Sequence, residues 1–248
     1  MRTHSSAWKN VKARSAGAVL LLLSACASAP AGLLNQGDPV VQGSQPPNVG
    51  DAGRAALAYH DSGAYERDLA AVAGEAKAWI ASQADKVDRP ALVADIDETV
   101  LSNWEIIKLD DFGRPIRGPC NLKSGAPCGW AAWDQLGRDP SIKPTLELFR
   151  LARKSGITVF FITGRPESQR AATERNLATA GFRGYAKLYM VRDGSHFASA
   201  ADFKAPIRSQ IEAMGYTIVA NIGDQPSDLA GGHAQKTFLL PDPFYRVP

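Results

Sequence analysis

The feature that most constrains this chain is a set of five short apolar runs, rich in β-branched and aromatic residues. They are ALVA (91–94), ITVFFI (157–162), AKLYM (186–190), TIVANI (217–222) and KTFLL (236–240). Between several of them lie helical patterns, at about 144–155, 167–180 and 202–214. Ahead of the first, Tyr65, Leu69, Val72, Ala76 and Trp79–Ile80 recur at spacings of three and four, which marks an amphipathic helix with its aromatics in the core. Strands alternating with helices predict an α/β fold, a Rossmann-like doubly wound parallel sheet covered on both faces. In such sheets ligands bind beyond the carboxyl ends of the strands. The residues that close each run are therefore the first candidates for a site.

Those residues are rich in chemistry. The first run ends in Asp95-Ile96-Asp97-Glu98-Thr99, the second in Thr163-Gly164-Arg165, and the fourth in Gly223-Asp224-Gln225-Pro226-Ser227-Asp228. The helix before the fourth begins around Lys204. Neighbouring carboxylates repel and raise each other's pKa, so three or more of them share a site only if a cation neutralises them. An all-oxygen donor set suits Mg²⁺, which keeps several waters and leaves room for a substrate phosphate. A hydroxyl, backbone amides and an ammonium can hold the remaining phosphate oxygens. An aspartate fixed in line with the leaving group can attack phosphorus and form an aspartyl-phosphate.

Taken together, DxDxT, a Thr at a strand end, a Lys at a helix start and GDxxxD resemble the haloacid dehalogenase (HAD) superfamily of phosphatases. The stretches ADIDETVLSN, FFITGRPE, FKAPIRSQIEAMGY and NIGDQPSDL are similar to its acid phosphatase branch, which includes bacterial outer-membrane lipoprotein acid phosphatases and plant vegetative storage proteins. The resemblance covers roughly Tyr65 to the C-terminus. It implies that Asp95 is the nucleophile, and that Asp97 is the general acid, then the base for the hydrolytic water. Mg²⁺ would be held by Asp95, the backbone carbonyl of Asp97 and Asp224, with Asp228 acting through water as an outer-shell acid. Thr163, the amide of Gly164 and Lys204 would bind phosphate. Lys187 competes with Lys204, but the FK…R context of Phe203, Lys204 and Arg208 favours Lys204. Arg165 either touches substrate or pairs with an acid. Glu98 is expected to face solvent or cap the next turn, and His60, His196 and His233 to lie at the surface.

The span 102–139, inserted directly after the first strand, does not fit the alternation and reads as a small cap or lid. In the relatives, cap aromatics stack on the substrate's ring; Trp104, Trp130 and Trp133 are candidates for that role or for packing between cap and core. Where the bacterial lipoprotein enzymes carry a Tyr after Asn103, this chain has Trp104-Glu105-Ile106, and its last motif is nearer the plant form. These departures bear on substrate preference. Within the insertion, Cys120 and Cys128 sit in the Gly/Pro-rich GPCNLKSGAPCGW, suited to a small disulfide loop. No further ligands of zinc-site spacing lie nearby.

The N-terminus is a basic stretch followed by an apolar one, Ala16 to Ala25, well short of the ~20 residues that a spanning helix needs. Residues 1–25 read as an export signal. Its end, Leu23-Ser24-Ala25-Cys26, resembles the lipobox of bacterial lipoproteins, in which Cys26 is acylated; the alternative is ordinary cleavage near Ala27 or Ala29. Acylation predicts an outer-membrane lipoprotein facing the periplasm or the surface, and ordinary cleavage a soluble periplasmic or secreted protein. Residues 26–53, rich in Pro, Gly, Gln and Asn, read as a flexible tether, and 54–248 as the HAD phosphatase domain. Without Arg2, Lys9, Lys12 and Arg14, which precede Cys26, 24 basic residues face 25 acidic ones, so no nucleic-acid polymer is expected as a partner. No Gly-Lys-Ser/Thr loop, Arg-His-Gly triplet or Cys-x₅-Arg is present. The expected function is a Mg²⁺-dependent acid phosphatase acting on small phosphomonoesters such as 5′-nucleotides. The alternatives are a catalytically weak binding or storage protein, and a phosphotransferase.

Overall fold

The run ALVA becomes the middle strand of a five-stranded, all-parallel sheet in the computed structural model, which describes residues 46–248. The export signal, Cys26 and most of the tether lie outside the described residues. In chain order the elements are α1 (Val49–Asp61), α2 (Ala64–Gln83), β1 (Pro90–Ala94), α3 (Trp104–Leu109), α4 (Trp130–Leu136), α5 (Lys143–Lys154), β2 (Thr158–Pro166), α6 (Arg170–Ala180), β3 (Lys187–Val191), α7 (Ala200–Ala213), β4 (Thr217–Gly223), α8 (Pro226–Leu229) and β5 (Lys236–Leu239). The strand order is β3-β2-β1-β4-β5. The chain winds outward from β1 through β2 to β3, then α7 returns it to the other side of β1. The direction of winding therefore reverses between β1 and β4, and a crevice opens at their carboxyl ends.

Both faces of β1 are buried, which is why its sequence is a continuous apolar run rather than an alternation. Leu92 and Ala94 face the larger core with α2 and α5, and Ala91 and Val93 face a smaller one that includes Ile211 of α7. Helix α2 buries Tyr65, Leu69, Ala73, Ala76 and Ile80, a stripe of three- and four-residue steps. Helix α1 starts at Val49, inside the segment read as a tether, because the Asn48 side chain accepts N–H bonds from Gly50 and Asp51 at 2.9 and 3.3 Å.

The insertion leaves and rejoins the sheet at one point. Ser102 N–H donates to the Pro140 carbonyl at 2.9 Å, and Leu101 bridges Ser141. Cys120 and Cys128 form a disulfide, and Trp130 and Ala131 N–H bonds to the Pro115 and Ile116 carbonyls fold the segment back on itself. Gly129 permits that fold: a Cβ there would lie 2.4 Å from the Gly118 carbonyl oxygen.

Candidate active site

Asp95 directly follows β1 and Asp224 directly follows β4, at the reversal of winding. An N–H bond from Asp95 to the Ile222 carbonyl, 3.0 Å, keeps the two strand ends in register. Asp228 lies in the short α8, where its Oδ2 accepts the Gln225 N–H at 2.9 Å. Gly223 makes room for it, since a Cβ there would meet Asp228 Oδ2 at 2.6 Å. One oxygen each from Asp95, Asp224 and Asp228 lies within 4.8 Å of the others, and all three residues are buried.

Lys204 reaches this cluster from α7. Its Nζ donates to Asp95 Oδ1 and, at 2.7 Å, to Asp228 Oδ1. Ser199 and Asp202 close a capping box that fixes where α7 begins, and Phe203 and Ile207 pack under the sheet, so the buried Lys204 is aimed at the crevice. Burial alone would lower its pKa, but Asp228 and Asp95 outweigh it and hold the ammonium charged. Burial pushes the Asp95 carboxyl well up, with Asp228, Asp224 and Asp97 adding to the rise and Lys204 opposing it. Burial and the neighbouring Asp228 and Asp242 likewise raise Asp224.

Asp97 is held differently. Its carboxylate accepts from Arg165, Nη2 to Oδ1 at 2.6 Å and Nε to both oxygens at 3.2 Å, and from Asn103 Nδ2 at 3.0 Å. Burial would raise its pKa, but these partners outweigh that and hold it below the usual carboxylate range. Arg165 thus pairs with acids: Asp134 and Asp139 also approach its Nη2, at 3.3 and 3.6 Å. Burial pushes those two carboxyls up to about 7 and about 6 respectively.

A shell of donors around Asp224 adds residues to which sequence reasoning assigned no role. Thr99 Oγ1 donates to it at 3.0 Å, Gln225 Nε2 at 2.6 Å and the Tyr245 hydroxyl at 3.3 Å. Gln225 Nε2 also donates to Asp242 at 2.6 Å, and Gln225 Oε1 accepts the Val247 N–H at 3.1 Å. Buried Arg208 donates to the carbonyls of Asp228, Ala230 and Gly232, which shapes the loop beneath the acids. For Asp242 and Tyr245 one general rule was available: a segment leaving a parallel strand's carboxyl end enters the same crevice.

Of the remaining expected residues, Gly164 lines the cavity, whereas Thr163 is fully buried, its Oγ1 accepting the Arg165 N–H at 3.1 Å. Trp130 lines the cavity. Trp133 does not: it is buried, and its Nε1 donates to Asn103 Oδ1 at 3.0 Å. Trp104 also lies away from it, stacked on His60 with ring centroids 3.5 Å apart and packed on Phe244. His60 is therefore half-buried, while His196 and His233 are exposed. Glu98 does not face solvent. It is fully buried in a left-handed conformation (φ 48°), accepting from the Tyr65 hydroxyl at 2.8 Å and capping α3 through the Asn103 N–H. Burial raises it to about 7.

The cavity over these groups measures about 660 Å³, within the roughly 300–1,000 Å³ typical of small-molecule sites. Asp95, Asp97, Asp134, Asp224 and Asp228 line it, against three permanent cations, Arg114, Arg165 and Lys204. Two carboxylates are thus left without a counter-charge when all are ionised. A divalent cation supplies the missing charge, and the convergent oxygens of Asp95, Asp224 and Asp228 are hard donors suited to one.

The family described as HAD superfamily, subfamily IIIB (acid phosphatase) matches residues 48–248. Acid phosphatase 1 of Solanum lycopersicum is 31% identical over 74% of this chain and 69% of its own length. Vegetative storage protein 1 of Arabidopsis thaliana is 29% identical over 63% of this chain and 55% of its own. Among solved structures, the class C acid phosphatase from Bacillus anthracis superposes with a TM-score of 0.63 at 18% identity, covering 80% of this chain and 86% of that one. That likeness is one of fold.

Proposed function

The chain belongs to subfamily IIIB of the HAD superfamily, the acid phosphatases, and on that premise we propose that it is a Mg²⁺-dependent phosphomonoesterase working through an aspartyl-phosphate on Asp95. The observation that carries this reading is the buried Lys204, which bridges Asp95 and Asp228 beside Asp224 at the floor of the cavity. A cation there can hold a phosphate oxygen in line with the Asp95 carboxylate.

In the first step an Asp95 oxygen attacks phosphorus and the ester P–O bond breaks. Asp97 gives its proton to the departing oxygen. In the second, water attacks the aspartyl-phosphate and Asp97 takes the water's proton, releasing inorganic phosphate and restoring Asp95. Arg165 and Asn103 orient the Asp97 carboxylate for both transfers. The low pKa they impose suits the base of the second step; the incoming phosphate dianion, a negative charge beside Asp97, raises it for the first. Lys204 and the Gly164 backbone are the phosphate-binding set, and Thr163, buried beneath them, holds the Arg165 amide in that turn. Asp95, the Asp97 carbonyl and Asp224 would hold the metal, and Asp228 would support it through water. When bound, the ion screens repulsion between nucleophile and phosphate and stabilises charge on the transferring group.

The cavity volume and its apolar wall support a small ester such as a 5′-nucleotide. The lipobox-like end of residues 1–25 supports tethering through an acylated Cys26. No helix among the described residues is long and apolar enough to cross a membrane. A catalytically weak binding or storage role is the second reading, supported by the vegetative storage proteins among the relatives; the presence of Asp95, Asp97 and Lys204 argues against it. Phosphate release from phenyl phosphate, with Mg²⁺ and with EDTA, tests the proposal. Release that EDTA abolishes and Mg²⁺ restores supports it, and undiminished release in EDTA contradicts it.

A further inference from the structure

Four basic side chains line the cavity: Arg114, Arg165, His196 and Lys204. Arg165 and Lys204 are buried and spent on carboxylates. Arg114 is exposed and belongs to none of the salt bridges or side-chain hydrogen bonds among the described residues. Its guanidinium nevertheless has a fixed seat, 4.8 Å from the Trp130 ring centre and 5.3 Å from that of Tyr245. Those rings pack edge to face at 5.1 Å, and the Tyr245 hydroxyl is anchored on Asp224. Stacking holds the flat face of a guanidinium and leaves its N–H edge free to meet an oxyanion. Arg114 lines the same cavity as Asp97, the residue placed at the leaving group.

We infer that Arg114 is a second anion subsite, a specificity-determining residue that selects phosphomonoesters whose leaving group carries a carboxylate or phosphate of its own. The inference rests on the phosphomonoesterase reading and deepens it. Along the same cavity, Ile116, Phe197 and Phe203 are apolar and suit the carbon body between the two anions. With a divalent cation bound the lining charges balance, so the substrate phosphate makes the cavity net negative, and a second anion is favoured only beside an uncommitted positive charge. Arg114 meets that requirement, whereas Lys204 and Arg165 do not.

The test compares kcat/KM for 4-carboxyphenyl phosphate and 4-carbamoylphenyl phosphate, which match in shape and differ by one charge. The meta isomers sample a second distance, and 4-phosphonophenyl phosphate reads whether a phosphate-like group serves as well as a carboxylate. Wild-type protein is expected to favour the anionic member of at least one pair by about five-fold, the scale of one solvent-accessible charged contact. Arg114→Gln should bring that ratio to about one, and Arg114→Lys should keep part of it because the charge stays. A ratio near one for every pair in wild type, or a ratio unchanged in Arg114→Gln, overturns the inference. Turnover of the carbamoyl ester reports that each variant is folded. Failure of wild type on every ester would instead overturn the phosphomonoesterase reading.

Discussion

The Arg165 guanidinium lies against the Asp97 carboxylate, Nη2 to Oδ1 at 2.6 Å, and the same nitrogen is approached by Asp134 and Asp139. Replacing Arg165 with Met leaves three acids around a buried, uncompensated space, at a cost of about 3–5 kcal/mol. Arg165→Lys keeps the charge but loses the two-pronged contact. Removing a lowering influence raises the Asp97 pKa, so the protonated, proton-donating form persists to higher pH. The falling limb of kcat/KM on the alkaline side should therefore move upward in Arg165→Lys, and more in any folded Arg165→Met. A limb that stays put would show that Arg165 does not govern Asp97.

Gln225 links Asp224 to Asp242, with its amide nitrogen 2.6 Å from each. Replacement by Ala frees Asp224 to rotate. Removing such an outer contact weakens metal binding by about 10–100-fold in known sites. Activity titrated against Mg²⁺ should show the half-saturating concentration rising on that scale while activity at saturating metal recovers. An unchanged midpoint would remove Gln225 from the metal's support.

Burial raises Glu98, Asp134 and Asp242 to about 7 and Asp139 to about 6. Between the ordinary carboxyl range and these values, the folded chain holds protons that the unfolded chain has released. Stability therefore falls as pH rises through that window and is greatest at its acid end. Asp97, Glu147 and Glu167 are held low, so their contribution changes only below the ordinary carboxyl range and does not oppose this decline. In EDTA, Tm should decline from about pH 5 to about pH 8, and saturating Mg²⁺ should reverse part of the decline. A Tm that climbs over this range in EDTA would contradict the electrostatics described.

The Cys120–Cys128 bridge spans a sequence separation of 8. A loop this short is worth about 2–3 kcal/mol in chain-entropy terms. The cavity residues Arg114, Ile116 and Trp130 flank it, so the Cys120→Ser/Cys128→Ser variant should lower Tm and lower kcat/KM more for aryl phosphates than for small alkyl phosphates. Equal losses on both would separate the loop from the substrate wall.

What could be read from the sequence is what local chemistry encodes. The three central runs are strands because a buried parallel strand needs no polar alternation, while β5 at the sheet edge buries only Phe238; Asp95 and Asp224 were legible because they stand directly at strand ends. Strand β2 runs on to Pro166 through a register irregularity, which apolarity alone does not mark. Asp134, Asp139, Asp242 and Tyr245 escaped notice because they come from the insertion and the C-terminal segment, with no periodic pattern to fix where they land. Glu98 caps the next turn, one of its two expected places, but its burial was not legible for a related reason. A charged residue next to DxD reads as solvated unless its partners, Tyr65 from α2 and the Asn103 amide, are known. The Trp104–His60 stack was not legible because α1, which carries His60, buries only Ala56 and shows no apolar stripe.

On the proposed mechanism, Asp95 carries the phosphoryl group between the two steps. The direct measurement is mass spectrometry of acid-quenched protein during turnover of phenyl phosphate with Mg²⁺, locating any covalent phosphoryl group by peptide mapping. One phosphoryl group is expected on the peptide containing Asp95, absent from Asp95→Asn, whose turnover is lost. A phosphoryl group on another residue, or steady turnover by Asp95→Asn, would contradict it.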